Sequence, residues 1–152
     1  MAEREVVFVD AMRTPFGRMG GTLKDMFASQ IGAVALKALL EKTKIAEKAH
    51  VDCAFMGTAT GCSNTGNPAR WTVLASGLPY ETSASYVEMQ CGSAIDAINH
   101  AAWKILANQA DIIIAGGMES YSQMATKFSM STQPYKLIPP MPIRGMLSPT
   151  PD

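Results

Sequence analysis

Cysteine and histidine are scarce in this 152-residue chain: three of the first, two of the second, and no two cysteines in a Cys-x-x-Cys pair. That scarcity argues against a structural zinc site and against a disulfide framework, both of which need more ligands or partners at close spacing. Neither sign of charge is in excess, thirteen Lys and Arg standing against thirteen Asp and Glu with a pI near 6.7. No basic stripe calls for nucleic acid, and no acidic run makes an electrostatic tail. Long apolar runs are also missing: nothing approaches the ~20 residues that span a bilayer, and Met1-Ala-Glu-Arg-Glu5 carries no secretory pattern. The expectation is a reduced, cytoplasmic, soluble protein with no metal, no nucleic-acid partner and no membrane partner.

What is present is an ordinary globular composition, 47% apolar and 17% charged. A chain of this length makes one domain that buries ~70% of its unfolded surface. Residues 5–10 read as a strand buried on both faces, from the unbroken run Val6, Val7, Phe8 and Val9. Helical spacing over 23–40 puts Leu23, Met26, Phe27, Ile31, Val34, Ala35, Ala38 and Leu39 on one face. A polar connection over 41–50 leads to a strand over 51–56 and a glycine-rich loop over 57–66. Asn67 and Pro68 then open a short helix that stops near Gly77. A strand ending near Gln90, a helix from Cys91 to about Gln109 and a strand over 112–115 follow. Strands alternating with helices imply α/β architecture: a mostly parallel sheet, helices on both faces, ligands at the carboxyl ends of the strands.

The last stretch breaks this pattern. Six of nine prolines fall between Pro134 and Pro151, and five of eleven methionines between Met118 and Met146. A long segment without periodicity inside a compact domain is functional or incomplete. We therefore divide the chain into a half-domain over 1–120 and the truncated start of a loop domain over 121–152.

Cys91 is the candidate for chemistry. It stands where an alternating stretch, Ser83-Ala-Ser-Tyr-Val-Glu-Met-Gln90, gives way to a helical one, Cys91-Gly-Ser-Ala-Ile-Asp-Ala-Ile98. At the first turn of a helix, unpaired N–H groups and the positive end of the dipole favour thiolate, the nucleophilic form. The alternative is a small buried residue at a strand–helix junction. A nucleophilic cysteine commonly works with a histidine. His100 lies nine residues further along the same expected helix, on its opposite side and ~13 Å along the axis. His50 reads as a solvated surface residue before a strand. Cys53 should be core, and Cys62 lies in the glycine-rich loop with nothing beside it to activate it. The glycine clusters Gly57-Thr-Ala-Thr-Gly61 and Gly116-Gly117 match neither a phosphate loop nor a dinucleotide fingerprint.

Four motifs, Arg13-Thr-Pro-Phe-Gly17, Gly66-Asn-Pro-Ala-Arg70, Cys91-Gly-Ser93 and Ala115-Gly-Gly-Met-Glu-Ser120, resemble those of thiolases, the acetyl-CoA acetyltransferases, in order and spacing. The resemblance runs from residue 5 to about 124 and extends weakly through Leu147-Ser-Pro149. It implies one half of the two-fold-repeated thiolase fold, with Cys91 as the acyl-accepting nucleophile and its own backbone N–H as an oxyanion donor. Fatty acid metabolism is the implied setting. Acyl-CoA and CoA are the implied partners, coenzyme A being part of the substrate and no other cofactor being needed. The family's activating histidine, second cysteine and Asn-Glu-Ala-Phe segment belong to a second half or C-terminal continuation, which makes the present chain incomplete and inactive alone. Self-association as a homo-oligomer is also implied. Two positions depart from the family: Glu88 where Asn is usual, and Ala94 where Gly is usual. A carboxylate at 88 would oppose a thiolate if it pointed inward. Two alternatives stand beside this reading: a related condensing enzyme of the ketoacyl synthase or hydroxymethylglutaryl-CoA synthase type, or a non-catalytic half-domain.

Overall fold

The protein is described by a computed structural model over residues 4–61 and 64–125, with the backbone of two short strands at 128–129 and 141–142. A three-stranded parallel sheet organises it. Strand β1 (Cys53–Gly57) lies in the middle, β2 (Ser83–Val87) on one side and β3 (Ile113–Gly117) on the other. Parallel neighbours need crossovers, and these are right-handed in nearly all proteins. The connection from β1 to β2 moves one way, and that from β2 to β3 moves back across β1. Helices α3 (Pro68–Ala75) and α4 (Ser93–Leu106) therefore lie on opposite faces.

The pleat of β1 agrees with this division. Ala54 joins Leu36, Val51, Val73 and Leu78 in one buried cluster, and Met56 joins Ala28, Ala69 and Met118 in another. Both clusters belong to the face covered by α3 and by α1 (Ala28–Thr43). Phe55 points the other way, its ring 5.8 Å from that of His100 on α4. The expected α/β fold with helices on both faces is what forms.

Local chemistry explains the short helix α3. The Asn67 side chain accepts from the Arg70 N–H at 2.9 Å and Pro68 takes the first helical position, where its missing N–H costs nothing. The same two residues fasten the chain entering β2. Asn67 Nδ2 donates to the Ala84 carbonyl at 3.2 Å, and the Arg70 guanidinium donates to the carbonyls of Thr82 and Tyr80 at 2.6 and 2.9 Å.

Three expectations are corrected. Residues 4–10 form no strand; Val7, Phe8 and Val9 are 66%, 83% and 80% exposed. A strand requires a hydrogen-bonded neighbour, and no described strand pairs with this run. Among the described residues it is tied at its ends, by Arg4 to Asn108 and Asp111 and by Lys42 to Asp10 at 2.7 Å. The first helix begins at Ala28, not 23, and a different face is buried. Ser29, Gly32, Ala33 and Leu36 face inward while Val34 is exposed. Small residues win there because α1 packs closely on α3: a Cβ on Gly32 would stand 2.7 Å from Met118 Sδ and 3.3 Å from Thr72 Cγ2. The connection over 41–50 contains a further short helix, α2 (Ile45–Lys48), entered through Lys44 in the left-handed conformation. The segment read as an irregular loop from 121 lies mostly outside the described residues. Within it, β4 (Phe128–Ser129) pairs antiparallel with β5 (Met141–Pro142).

Candidate active site

Cys91 is exposed, which removes the buried-junction alternative. It follows the carboxyl end of β2 in a tight turn. Gly92 N–H donates to the Met89 carbonyl at 2.9 Å and Ser93 N–H to the Gln90 carbonyl at 3.1 Å. Gln90, immediately before the cysteine, has φ +48°, a left-handed conformation that costs a non-glycine residue ~1 kcal/mol or more. Ser93 secures the turn from below. Its hydroxyl, 3% exposed as a residue, accepts from the Met89 N–H at 2.8 Å and donates to the Gln90 carbonyl at 2.6 Å. Helix α4 begins at Ser93 with Gly92 as its N-cap, so Cys91 precedes the helix where a position inside the first turn was expected. The reason is Ser93, whose side chain spends its bonds on the turn behind it.

Two glycines bring α4 close to the sheet. A Cβ on Gly57, the last residue of β1, would stand 2.4 Å from the Ser93 carbonyl carbon and 2.5 Å from the Ala94 nitrogen. One on Gly117, the last residue of β3, would meet Ala94 Cβ at 2.6 Å. Gly57 and Gly117 are register partners, so they form one floor under the start of α4. The Ala94 methyl rests on this floor.

A carboxylate organises the loop after β1. Glu119 accepts the N–H groups of Ala59 and Thr60 at 2.7 and 3.2 Å, the Thr60 hydroxyl at 2.7 Å and the Thr58 hydroxyl at 3.4 Å. The Arg13-Thr-Pro-Phe-Gly17 motif comes alongside. Gly20 N–H donates to Ser122 Oγ at 2.9 Å, Ser120 Oγ to the Met26 carbonyl and Gln123 Nε2 to the Lys24 carbonyl, each at 2.7 Å. Between these segments lies a cleft of about 510 Å³ lined by Arg13, Phe16, Ile31, Gly32, Met118 and Tyr121. Cys91 does not line it.

The other candidates lie apart from Cys91. His100 faces Phe55 and Trp103, with Nδ1 3.0 Å from the Asp96 carbonyl oxygen. His50 is exposed just before the amino end of β1, whereas Cys91 follows the carboxyl end of the parallel strand β2. Cys53 is core, as expected, and burial pushes its thiol pKa up. Cys62 lies outside the described residues. Glu88 is exposed and accepts from Gln90 Nε2 at 3.3 Å. At the amino ends of the strands, Asp52 accepts the N–H groups of Ile112 and Asp111 at 3.0 and 2.8 Å, and these bonds lower its pKa. Among the described residues, no three His, Cys, Asp or Glu side chains gather as a metal site, and no helix is long and apolar enough to cross a membrane. Sequence reasoning gave no role to Glu119, Ser93 or Gly57. The available signals were a carboxylate two residues past a glycine pair at a strand end and a serine two residues past the thiol.

The thiolase N-terminal domain family matches residues 6–150. Over 118 residues the chain is 42% identical to an acetyl-CoA acetyltransferase of Chromobacterium violaceum, covering 78% of this chain and 30% of that protein. A beta-ketoadipyl-CoA thiolase of Acinetobacter baylyi is 41% identical over 121 residues, covering 79% and 30%. The mitochondrial acetyl-CoA acetyltransferase of Bos taurus is 34% identical over 131 residues, covering 86% and 31%. The chain thus spans about a third of the length of these curated relatives.

Proposed function

This chain belongs to the thiolase family through its N-terminal domain, and from that premise we propose that Cys91 is the acyl-accepting nucleophile of an acyl-CoA C-acetyltransferase. The observation that carries the reading is an exposed thiol on a braced, strained turn, between the carboxyl end of β2 and the start of α4. The Cys91 thiolate attacks the thioester carbonyl of an acyl-CoA. The carbon–sulfur bond to CoA breaks, CoA leaves as its thiolate, and the acyl group stays on Cys91. The carbanion of a second acetyl-CoA then attacks this acyl group and expels Cys91, giving a 3-ketoacyl-CoA; thiolysis is the reverse. The N-terminal end of α4 favours the negative charge that develops on the carbonyl oxygen, and in this reading the Cys91 N–H serves as a donor to it. No electron transfer enters this sequence, so it calls for no redox group.

Proton transfer from the α-carbon requires a positioned base, worth ~10²–10⁴-fold. Neither His100 nor His50 stands at Cys91, so in this reading the base and the histidine that activates the thiol come from a second thiolase half. The names of the relatives support acyl-CoA chemistry but divide between acetyl and ketoadipyl substrates at nearly equal identity. We therefore assign the acyl-transfer step to this half and leave acyl selection to the rest of the site.

The test is incubation with acetyl-CoA, with and without a thiolase C-terminal half, followed by peptide mass analysis. One acetyl group on the Cys91 peptide, absent from Cys91→Ala, is expected. Acetyl on another cysteine, or on none when the second half is present, defeats the proposal.

A further inference from the structure

The most densely bonded side chain near the candidate site is not the cysteine but Glu119, at the end of the segment that follows β3. Its carboxylate holds two backbone N–H groups and two threonine hydroxyls of the loop after β1. It also takes the Ser120 N–H at 3.1 Å. Thr58, in that loop, is 1% exposed and held in two further directions, one by a hydrogen bond and one by packing. Its N–H donates to the Val87 carbonyl at 3.1 Å, at the end of β2. Its carbonyl lies 3.4 Å from Ser93 Oγ. Ser93 in turn grips both the Met89 N–H and the Gln90 carbonyl, the two residues that lead into Cys91.

These contacts form one path from Glu119 through the Thr58 backbone, whose carbonyl packs 3.4 Å from the Ser93 hydroxyl that donates to Gln90, to the peptide before the thiol. We propose that Glu119 and Ser93 are positioning residues: Ser93 maintains the left-handed Gln90 conformation that presents Cys91, and Glu119 fixes the loop on which Ser93 rests. The proposal deepens the acyl-transfer reading and rests on it for its functional consequence.

The physical logic is that a strained residue persists only where its surroundings over-determine it. Gln90 has no glycine's freedom, and relaxation of its φ would swing the Cys91 Cα away from the turn. Two bonds from one buried hydroxyl oppose that relaxation on either side of Gln90. The Ser93 hydroxyl keeps its direction only while the Thr58 backbone stays in place. Four donors converging on one carboxylate do that more rigidly than a neutral side chain, because charge-assisted hydrogen bonds are about twice as strong as neutral ones. Glutamine at 119 would keep the shape but present an NH₂ group toward N–H donors.

Site-resolved amide hydrogen exchange on the full chain tests this, with the ratio of Cys91 acylation by acetyl-CoA to its alkylation by iodoacetamide as a second readout. Ser93→Ala should speed exchange at Met89 by about tenfold or more. Glu119→Gln should speed exchange at Ala59 and Thr60 directly, and at Met89 and Gly92 by transmission. Amides in the middle of the sheet, at Phe55 and Ala115, should stay unchanged in both, which separates local positioning from a general loss of stability. Thr60→Val removes one Glu119 bond and keeps the backbone contacts; it reads the same coupling if Glu119→Gln does not fold. Acylation should fall about tenfold while alkylation changes less than about twofold, since only the first requires an oriented thiol. Met89 exchange within about twofold of wild type in Glu119→Gln, with Ala59 released, overturns the coupling. If the exchange pattern appears but Cys91 is never acylated in the presence of a second half, the acyl-transfer reading falls and the mechanical path stands.

Discussion

Replacing Gly57 with alanine should displace the Cys91 turn without touching the cysteine. The new methyl would stand 2.4 Å from the Ser93 carbonyl carbon and 2.5 Å from both the Ser93 oxygen and the Ala94 nitrogen. All three are backbone atoms, so no rotamer change relieves the clash. Carbon atoms rest at ~3.5 Å, so the start of α4 must lift by ~1 Å. Overpacking of this kind costs ~1–3 kcal/mol, offset by the ~0.5–1 kcal/mol that alanine recovers from the unfolded chain's lost freedom. A net loss of ~1–2 kcal/mol is expected, read as a fall in the denaturation midpoint. The functional loss should be larger, because a ~1 Å misplacement at a reacting centre costs up to ~10²-fold. Gly66→Ala is the control: nothing lies within 4 Å of its added methyl. Urea denaturation and the rate of Cys91 acetylation, measured on both variants beside wild type, complete the experiment. If Gly57→Ala matched Gly66→Ala in both, the close approach of α4 to β1 would be incidental to the site.

Asp52→Asn should destabilise the protein at neutral pH, because the Asp52 carboxylate holds the N–H groups of Asp111 and Ile112. Its pKa is lowered in the folded state from 3.8, so this contribution is complete above about pH 4 and disappears as pH falls through the depressed value. The gap between wild type and variant should therefore close in acid; a gap independent of pH from 7 down to 2 would contradict the assignment. Limiting iodoacetamide should label Cys91 well before Cys53, whose thiol is buried and whose pKa burial raises; peptide mapping that finds Cys53 labelled first would refute it. In a thiolysis assay the 152-residue chain alone should show no steady turnover and should gain it with a second thiolase half. Turnover unaffected by that addition would show that a base within this chain suffices.

The sequence showed the topology where local chemistry decides it. Asn67 and Pro68 announce α3, and Cys91-Gly-Ser93 marks a strand–helix junction because turn residues separate two periodicities. It misled where partners decide. The run at 6–9 has the composition of a central strand, but composition does not supply the neighbour that a strand needs. On α1 the large apolar side chains do not mark the buried face. Close packing on α3 instead selects Ser29, Gly32 and Ala33. At the candidate site the sequence pointed to Cys91 and was silent on Glu119, whose partners are about 60 residues away in the chain and converge only through the pairing of β1 with β3.

The bonds of Asn67 and Arg70 to the chain entering β2 have a kinetic meaning. Each spans only 10–17 residues, and short loops close at small entropic cost. The register of β1 against β3 joins residues 60 apart, as in Gly57 and Gly117. Contacts of low sequence separation form first, so β1, α3 and β2 should assemble as a unit before β3 docks and Glu119 reaches its loop. The Cys91 turn would then be among the last parts to acquire its shape. Arg70→Ala should accordingly slow folding more than it speeds unfolding, while Glu119→Gln should do the reverse; equal partition of both between the two rates would remove the distinction.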